Sequence, residues 1–379
     1  MLGIPPKSVI GEREMLIPAR DLPTCIEAGS LREKGTRMED DHGQGTPPAA
    51  AKLMEITWGY WASQVLRQAA EMGLADRFAE GPREADEVCA EYGMHAPAFR
   101  RFLRSLTGIG ILTEVAPRRY ALTEMGEAMK SGAAGAARST IICLIGDLVS
   151  PAWANLDYSL RTGETGFEKH YGKGLFEHIR DTPGLPQMFS ETMVGIHGKE
   201  PPAVATAYDF SGIGSLVDVG GASGNMLGHI LSRHPGLRGV LYDLPHVVVD
   251  APALLESFGV SDRVSIESGS FFESVPAGHD AYLMSHIIHD WDEKECGTIL
   301  ACCRSAMKPD GKILIVEMVL PEGDVAHPGK LADMMMLVGP GGQERTPDEY
   351  KALLSANGFR MTRIVPTASA VSVVEAVRA

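Results

Sequence analysis

Between Leu216 and Val316 short apolar runs alternate with longer segments of helical spacing, an order that few folds accommodate. The runs are Leu216–Val219, Gly239–Tyr242, Val264–Ile266, Ala281–Met284 and Ile313–Val316, with Met226–His234, Val247–Phe258 and Lys294–Met307 among them. Strands that are apolar along their whole length have both faces covered. Joined by helices, they make parallel βαβ units. Arg360–Val365 and Val371–Val377 stand too close together for a crossover helix, so they pair as an antiparallel terminal hairpin. The fold class is therefore α/β: a doubly wound, Rossmann-like sheet with a terminal hairpin, preceded by a mainly helical domain.

That preceding part begins at Ala49. Trp58, Trp61, Val65, Leu66 and Ala69 recur at three- and four-residue steps, one apolar helix face, and Gly73 closes it. A short helix from Ala85 to Gly93 follows, then a second through Pro97, Phe99, Phe102, Leu103 and Leu106. Strands at Ile111–Val115 and Arg119–Leu122, turning at Pro117, complete a winged-helix outline. The expected divisions are a disordered extension at 1–48, a winged-helix-like module at 49–132, helices at 133–208 and the sheet domain at 209–379. Residues 1–48 mix Pro, Gly and charge without a sustained period, and Met38 within them is an alternative start.

Winged helices often bind DNA, but charge argues otherwise here. Between Pro82 and Lys130 seven acidic side chains face seven basic ones, and the whole chain carries a net charge of −14. A neutral module on an acidic protein displaces few counterions from phosphate, so no nucleic-acid partner is expected. No apolar stretch approaches the ~20 residues of a membrane span. The six cysteines contain no CxxC, which suits free thiols in a reducing cytoplasm.

Val217-Asp218-Val219-Gly220-Gly221-Ala222-Ser223-Gly224 runs from a strand through a glycine turn towards a helix, the place where such sheets bind nucleotides. The dinucleotide pattern G-x-G-x-x-G is not met. From Gly220 its next positions fall on Ala222 and Asn225, and from Gly221 on Ser223 and Met226, so NAD is the second choice. Asp243 ends the next strand, where a carboxylate can accept from both ribose hydroxyls. A loop carboxylate or helix cap is the plainer alternative.

Five motifs then occur in order: Leu216–Gly221, Tyr242–Val247, His289-Asp290-Trp291, Val316-Glu317 and Gly341–Thr346. Together they resemble the plant caffeic-acid-type and bacterial polyketide-tailoring O-methyltransferases over roughly residues 50–379. The resemblance implies S-adenosylmethionine as methyl donor, a small aromatic hydroxyl as acceptor, a dimerising helical domain and no metal. It puts Gly220 at the methionine moiety, Asp243 at the ribose, Ser270 and Phe271 at the adenine, and Ser285 and Asp290 near the cofactor. An N-cap role before Trp291 is the alternative for Asp290. Three departures stand out. Ala222 replaces a third glycine, acceptable if its φ is negative, and Gly269-Ser270 stands where Gly-Asp is usual. His286 follows Ser285 where bacterial relatives often carry Arg. His286 and His289 are three apart, but no third ligand has suitable spacing for a metal.

Methylating a phenol, whose pKa is near ~10, calls for a base at neutral pH. The resemblance gives that part to His289. Glu317, at the end of the adjacent strand, is expected to accept the imidazole N–H and hold the rate inflection at or above about 6.5. Glu344 is the family's second carboxylate near the base. Met188, Phe189, Met193, Met335 and Met336 are candidate acceptor contacts, with plain core packing as the alternative. Two other functions remain open: a homologue doing different S-adenosylmethionine-assisted chemistry, and a winged-helix regulator.

Overall fold

The computed structural model describes residues 49–379. The disordered extension expected at 1–48, the alternative start at Met38 and Cys25 lie outside the described residues. The chain divides after Trp58 into two units, and of the first only residues 49–58 are described, as the start of the helix Ala49–Glu71.

Gly73, in the left-handed region at φ 62, stops that helix as its sequence foretold. A 3-10 turn, Leu74–Phe78, follows it, and no periodicity betrayed so short a piece. Helices Ala85–Glu91 and Ala96–Gly108 pack on a small sheet of order β1-β3-β2, formed by β1 (Arg83–Glu84), β2 (Leu112–Ala116) and β3 (Arg119–Leu122). Val88, Phe99, Leu103, Leu106, Ile111 and Tyr120 form its core. This is the winged-helix outline read from the sequence. On Ala49–Glu71 the expected apolar face splits: Ala69 and Ala70 are buried, whereas Trp58 and Trp61 are 50% and 62% exposed.

Seven short helices fill 137–207, ending with Leu185–His197 and Glu200–Ala207. The second sheet follows, comprising β4 (Ser215–Val219), β5 (Arg238–Asp243), β6 (Val264–Ser268), β7 (Ala281–Ser285), β8 (Lys312–Glu317), β9 (Phe359–Pro366) and β10 (Ser372–Arg378). Its order is β6-β5-β4-β7-β8-β10-β9. The first five strands are parallel. β9 and β10 pair antiparallel as expected, and β10 also pairs antiparallel with β8.

The uniform apolarity of these strands has a direct cause. Leu216, Leu241, Leu283, Leu314 and Val316 point into one core, and Val217, Val240, Tyr282, Met284, Ile313 and Ile315 into the other. A period of two covered on both faces reads as an unbroken run. The chain leaves β4 towards β5 on one side and returns to β7 on the other, so the carboxyl ends of β4, β5 and β7 surround the switch point.

Among the described residues no single helix is long and apolar enough to cross a membrane. Ala137–Ala154 with Leu156–Thr162 would be by length and composition, but that pair is bent by 50°.

Candidate active site

At the end of β4 the backbone turns back under Gly220 (φ 71), whose N–H donates to the Tyr242 carbonyl at 2.8 Å. A Cβ on Gly220 would run into the Ile287 side chain, and Phe271 stands just beyond. Asp243 ends β5 with one oxygen accepting from Leu244 N–H at 2.6 Å and the other from Ala222 N–H at 2.9 Å. Each oxygen retains a lone pair. Gly269 N–H donates to the Asp243 carbonyl at 3.0 Å, which brings Ser270 and Phe271 to the same edge. The Ser270 hydroxyl accepts from Phe272 N–H at 3.3 Å. Ser285 closes β7, paired with Val316.

Ala222 corrects one expectation. Its φ is 48, positive rather than negative. A left-handed alanine costs roughly 1–2 kcal/mol. The hydrogen bond from its N–H to the Asp243 carboxylate at 2.9 Å helps to offset that. Beneath the turn lies Asp218, fully buried, with no side-chain partner for either carboxyl oxygen and only weak support from the Leu227 backbone N–H. Burial and the nearby Asp243 push its carboxyl up to about 7.

His289 lies in the 3-10 turn Ile288–Asp290 after β7. Its backbone N–H donates to Glu317 Oε1 at 3.0 Å, while its Nδ1 is 2.9 Å from Glu344 Oε1. Glu317 thus grips the backbone, and its other oxygen accepts from the Tyr350 hydroxyl. The expected partner of the imidazole was Glu317; the actual one is Glu344. Glu317 ends β8, where its two oxygens are taken by the His289 backbone N–H and the Tyr350 hydroxyl. Burial lowers the His289 pKa and raises that of Glu344 to about 7. The lowered imidazole runs against an inflection at or above 6.5. With Nδ1–H donating to Glu344, Nε2 carries the free lone pair.

Asp290 has its Oδ1 3.6 Å from His289 Nε2, and burial raises its carboxyl well above the usual range. The N-cap alternative for Asp290 fails, because Asp292 caps the helix Glu293–Ala306 through a capping box with Glu295.

The loop carrying Glu344 is tied to the same turn. Gln343 N–H donates to the His289 carbonyl at 2.9 Å, and the fully buried Arg345 guanidinium to the Ile288 carbonyl at 3.3 Å. Glu344 N–H donates to Asp333 Oδ1 at 2.9 Å. Sequence reasoning quoted Arg345 within a motif but gave it no part, and missed Tyr350 and Asp333.

Met188, Phe189 and Met335 share one cluster with Phe167, Leu175 and Val338. Met193 and Met336 are half-buried outside it. An aromatic row continues from Phe189 to Phe176 (6.2 Å between centroids), Trp291 (5.4 Å) and Phe271 (6.0 Å). It joins the methionine wall to the glycine turn. Phe176 was not foreseen.

His286 does not pair with His289 as a ligand. Its companions are His197 and Glu200, from the junction of Leu185–His197 with Glu200–Ala207, and the three donor atoms lie within 4.8 Å of one another. Sequence spacing had offered no third partner, since these residues are 86 positions or more away.

A glycine turn and acidic strand end at the switch point, with a buried histidine–carboxylate pair at the same edge, define a nucleotide-dependent group-transfer enzyme. Residues 153–360 match the O-methyltransferase domain family, and residues 54–131 its dimerisation domain. A phenazine O-methyltransferase from Lysobacter antibioticus is 40% identical over 89% of this chain and 99% of its own length. The crystal structure of a mitomycin 7-O-methyltransferase superposes with a TM-score of 0.81 at 33% identity, over 87% of this chain and 98% of that one. An O-methyltransferase of neocarzinostatin biosynthesis, solved with S-adenosylmethionine and 2-hydroxy-5-methyl naphthoic acid, gives 0.74 at 31% identity, over 84% and 96%. The chain belongs to the O-methyltransferase family and is an enzyme of that class.

Proposed function

We propose that this enzyme transfers a methyl group from S-adenosylmethionine to a hydroxyl of a small aromatic or polyketide-like molecule, with His289 as the base. The buried pair of His289 Nδ1 and Glu344 at 2.9 Å carries the reading. Bound S-adenosylmethionine supplies a methyl group on positively charged sulfur. The site suits it: no Cβ fits at Gly220, and Asp243 has acceptor capacity left for ribose hydroxyls. Ser270 and Phe271 would meet the adenine, and Ser285 and Asp290 would flank the cofactor.

His289 does the proton work. Its neutral Nε2 takes the acceptor's proton as the oxygen attacks, and Glu344 stabilises the imidazolium that forms. Glu317 fixes the backbone beneath it. Met188, Phe189 and Met335, with Met193 and Met336, would form the acceptor wall, and Phe176 and Trp291 would flank the reacting ring. Fused or substituted aromatic hydroxyls, such as those named for the related enzymes, fit this wall.

The same reading makes the chain a cytoplasmic homodimer, joined through the module at 49–132, with acceptor helices at 133–208 and the catalytic domain at 209–379. The matched dimerisation domain and the exposed Trp58 and Trp61 support it.

The test is methyl transfer from labelled S-adenosylmethionine to a panel of phenols, naphthols and hydroxyphenazines. Asp243→Ala should weaken binding of the demethylated product, S-adenosylhomocysteine, by roughly 2–3 kcal/mol, the loss of a charged hydrogen-bond partner. NAD binding tighter than S-adenosylhomocysteine would overturn the cofactor, and label in no acceptor would overturn methylation.

A further inference from the structure

The cluster beside the base has a part that the methyl-transfer reading leaves unused. His286 follows β7 with φ 54, a left-handed conformation that a non-glycine residue adopts at a cost. Its backbone N–H donates to the Val316 carbonyl at 3.1 Å, which pins it over β8. Its Nε2 lies 2.6 Å from Glu200 Oε2, and the same oxygen is 3.0 Å from His197 Nδ1. The two imidazoles stack, with centroids 3.7 Å apart and planes 29° apart.

This arrangement fixes a tautomer. Glu200 is buried, and the two imidazole N–H groups hold its carboxyl down at about 2. An ionised carboxylate only accepts, so His286 must present its N–H at Nε2. Burial lowers the His286 pKa to about 4, so the ring is neutral at working pH. Its Nδ1 therefore carries a bare lone pair, and that atom is buried without a partner. Two more buried polar atoms without partners belong to the same neighbourhood, Glu344 Oε2 and Trp291 Nε1. The His286 and His289 ring centroids are 5.0 Å apart.

We infer that His286 Nδ1 is a specificity subsite that accepts a hydrogen bond from a second donor on the acceptor, a hydroxyl or amino group next to the hydroxyl being methylated. The inference rests on the methyl-transfer reading above. With hydrogen bonds of roughly 2.8 Å, two imidazoles at that separation can each serve one of two substituents on neighbouring ring carbons. One is the oxygen that reacts at His289; the other donates to His286. The enzyme is thus selective for vicinal diols of aromatic rings and ortho-aminophenols. A neighbouring ether or carbonyl offers no proton and would leave two acceptors facing each other. The selectivity has a further consequence: a diol methylated once has lost a donor, so the monomethyl ether accumulates.

The test compares kcat/KM for matched pairs, catechol against 2-methoxyphenol and 2,3-dihydroxynaphthalene against 3-methoxy-2-naphthol. The wild type should favour each diol by about tenfold, the scale of one hydrogen bond to an otherwise unpaired buried acceptor. In His286→Phe the ratio should fall to within about twofold of one. Glu200→Gln, which releases the tautomer, should lower it to an intermediate value. A ratio taken within one enzyme is insensitive to the fraction folded, and S-adenosylhomocysteine binding confirms that each variant retains its cofactor site. Equal wild-type rates for diol and ether, a preference for the ether, or a ratio unchanged in His286→Phe would each overturn the subsite while leaving methylation intact. No turnover of any of the four overturns the acceptor class and the subsite with it.

Discussion

Taking His289 out of water disfavours its charged form, so its neutral imidazole persists to lower pH than that of an exposed histidine. The His289 contribution to the acid limb of the rate should therefore have its midpoint below 6.5. A kcat profile with its acid midpoint at or above 6.5 would contradict this. His289→Ala should lower kcat by ~10²–10⁴-fold, the scale of a lost general base. Glu344→Gln should lower it by about 10–100-fold, the scale of a hydrogen bond to a charge. Glu317→Gln should act chiefly on thermal stability, because Glu317 holds backbone and the Tyr350 hydroxyl. The sequence offered both carboxylates but could not assign them. They lie 28 and 55 residues from His289, and tertiary contacts decide which reaches the ring: β8 beside β7 for Glu317, and the ties of Gln343 and Arg345 to the His289 turn for Glu344. Asp218 gives a second prediction. Its folded pKa, about 7, is raised above the ordinary 3.8. Its contribution to stability is full below 3.8 and is lost as the pH rises through about 7, at up to ~1.4 kcal/mol per unit of offset. Asp218→Asn should therefore match wild type near pH 4 and melt higher at pH 8. A lower melting temperature at pH 8 would show that the carboxylate is satisfied there.

The elements that hold the site were legible where local chemistry fixes them. All five parallel strands stand within two residues of their expected bounds. In β4, β5, β7 and β8 alternation against two cores leaves an unmistakable run, whereas β6 is an exposed edge strand. Between 137 and 207 only the apolar, Met-bearing stretch through Met188, Phe189, Met193 and Val194 marked a particular helix, which is Leu185–His197; the shorter ones had no such mark. Helix starts fall between these cases. Thr346 opens Pro347–Ala356 with a capping box, its side chain accepting from Glu349 N–H while Glu349 returns to the Thr346 backbone. That cap sits two residues beyond Glu344. Thr346→Ala should cost about 1 kcal/mol. Calorimetry would register this as a drop of roughly 2 °C for a domain of this size. If the Glu344 loop depends on the cap, kcat should fall too; a lower melting temperature with unchanged kcat would show that Arg345 alone fixes the loop.

For the whole molecule the open question is association. The helix Ala49–Glu71 leaves Leu53, Ile56, Trp58, Tyr60 and Trp61 exposed, far more apolar surface than one helix of a monomer usually shows water. Light scattering at micromolar concentration should give twice the chain mass, and Trp61→Arg should reduce it to one. Each copy carries a net charge of −14, so the two repel. Raising the salt shortens the Debye length from about 30 Å at 0.01 M to about 8 Å at 0.15 M, and the dimer should tighten across that range. A dimer that loosens with salt would instead be held by ion pairs.

The strap between Gln343, Arg345 and the His289 turn also bears on how such an enzyme changes its acceptor over time. Any side chain at Gly342 would strike the His289 carbonyl, and Arg345 has no room for substitution at full burial. The chemistry is thus confined to a stretch that tolerates almost no drift. The methionine wall consists of flexible side chains on separate helices and obeys no such restriction. A library seeking new acceptors should therefore leave residues 341–346 alone and take its variation from Met188, Met193 and Met336, where one exchange can reshape the wall without moving the base.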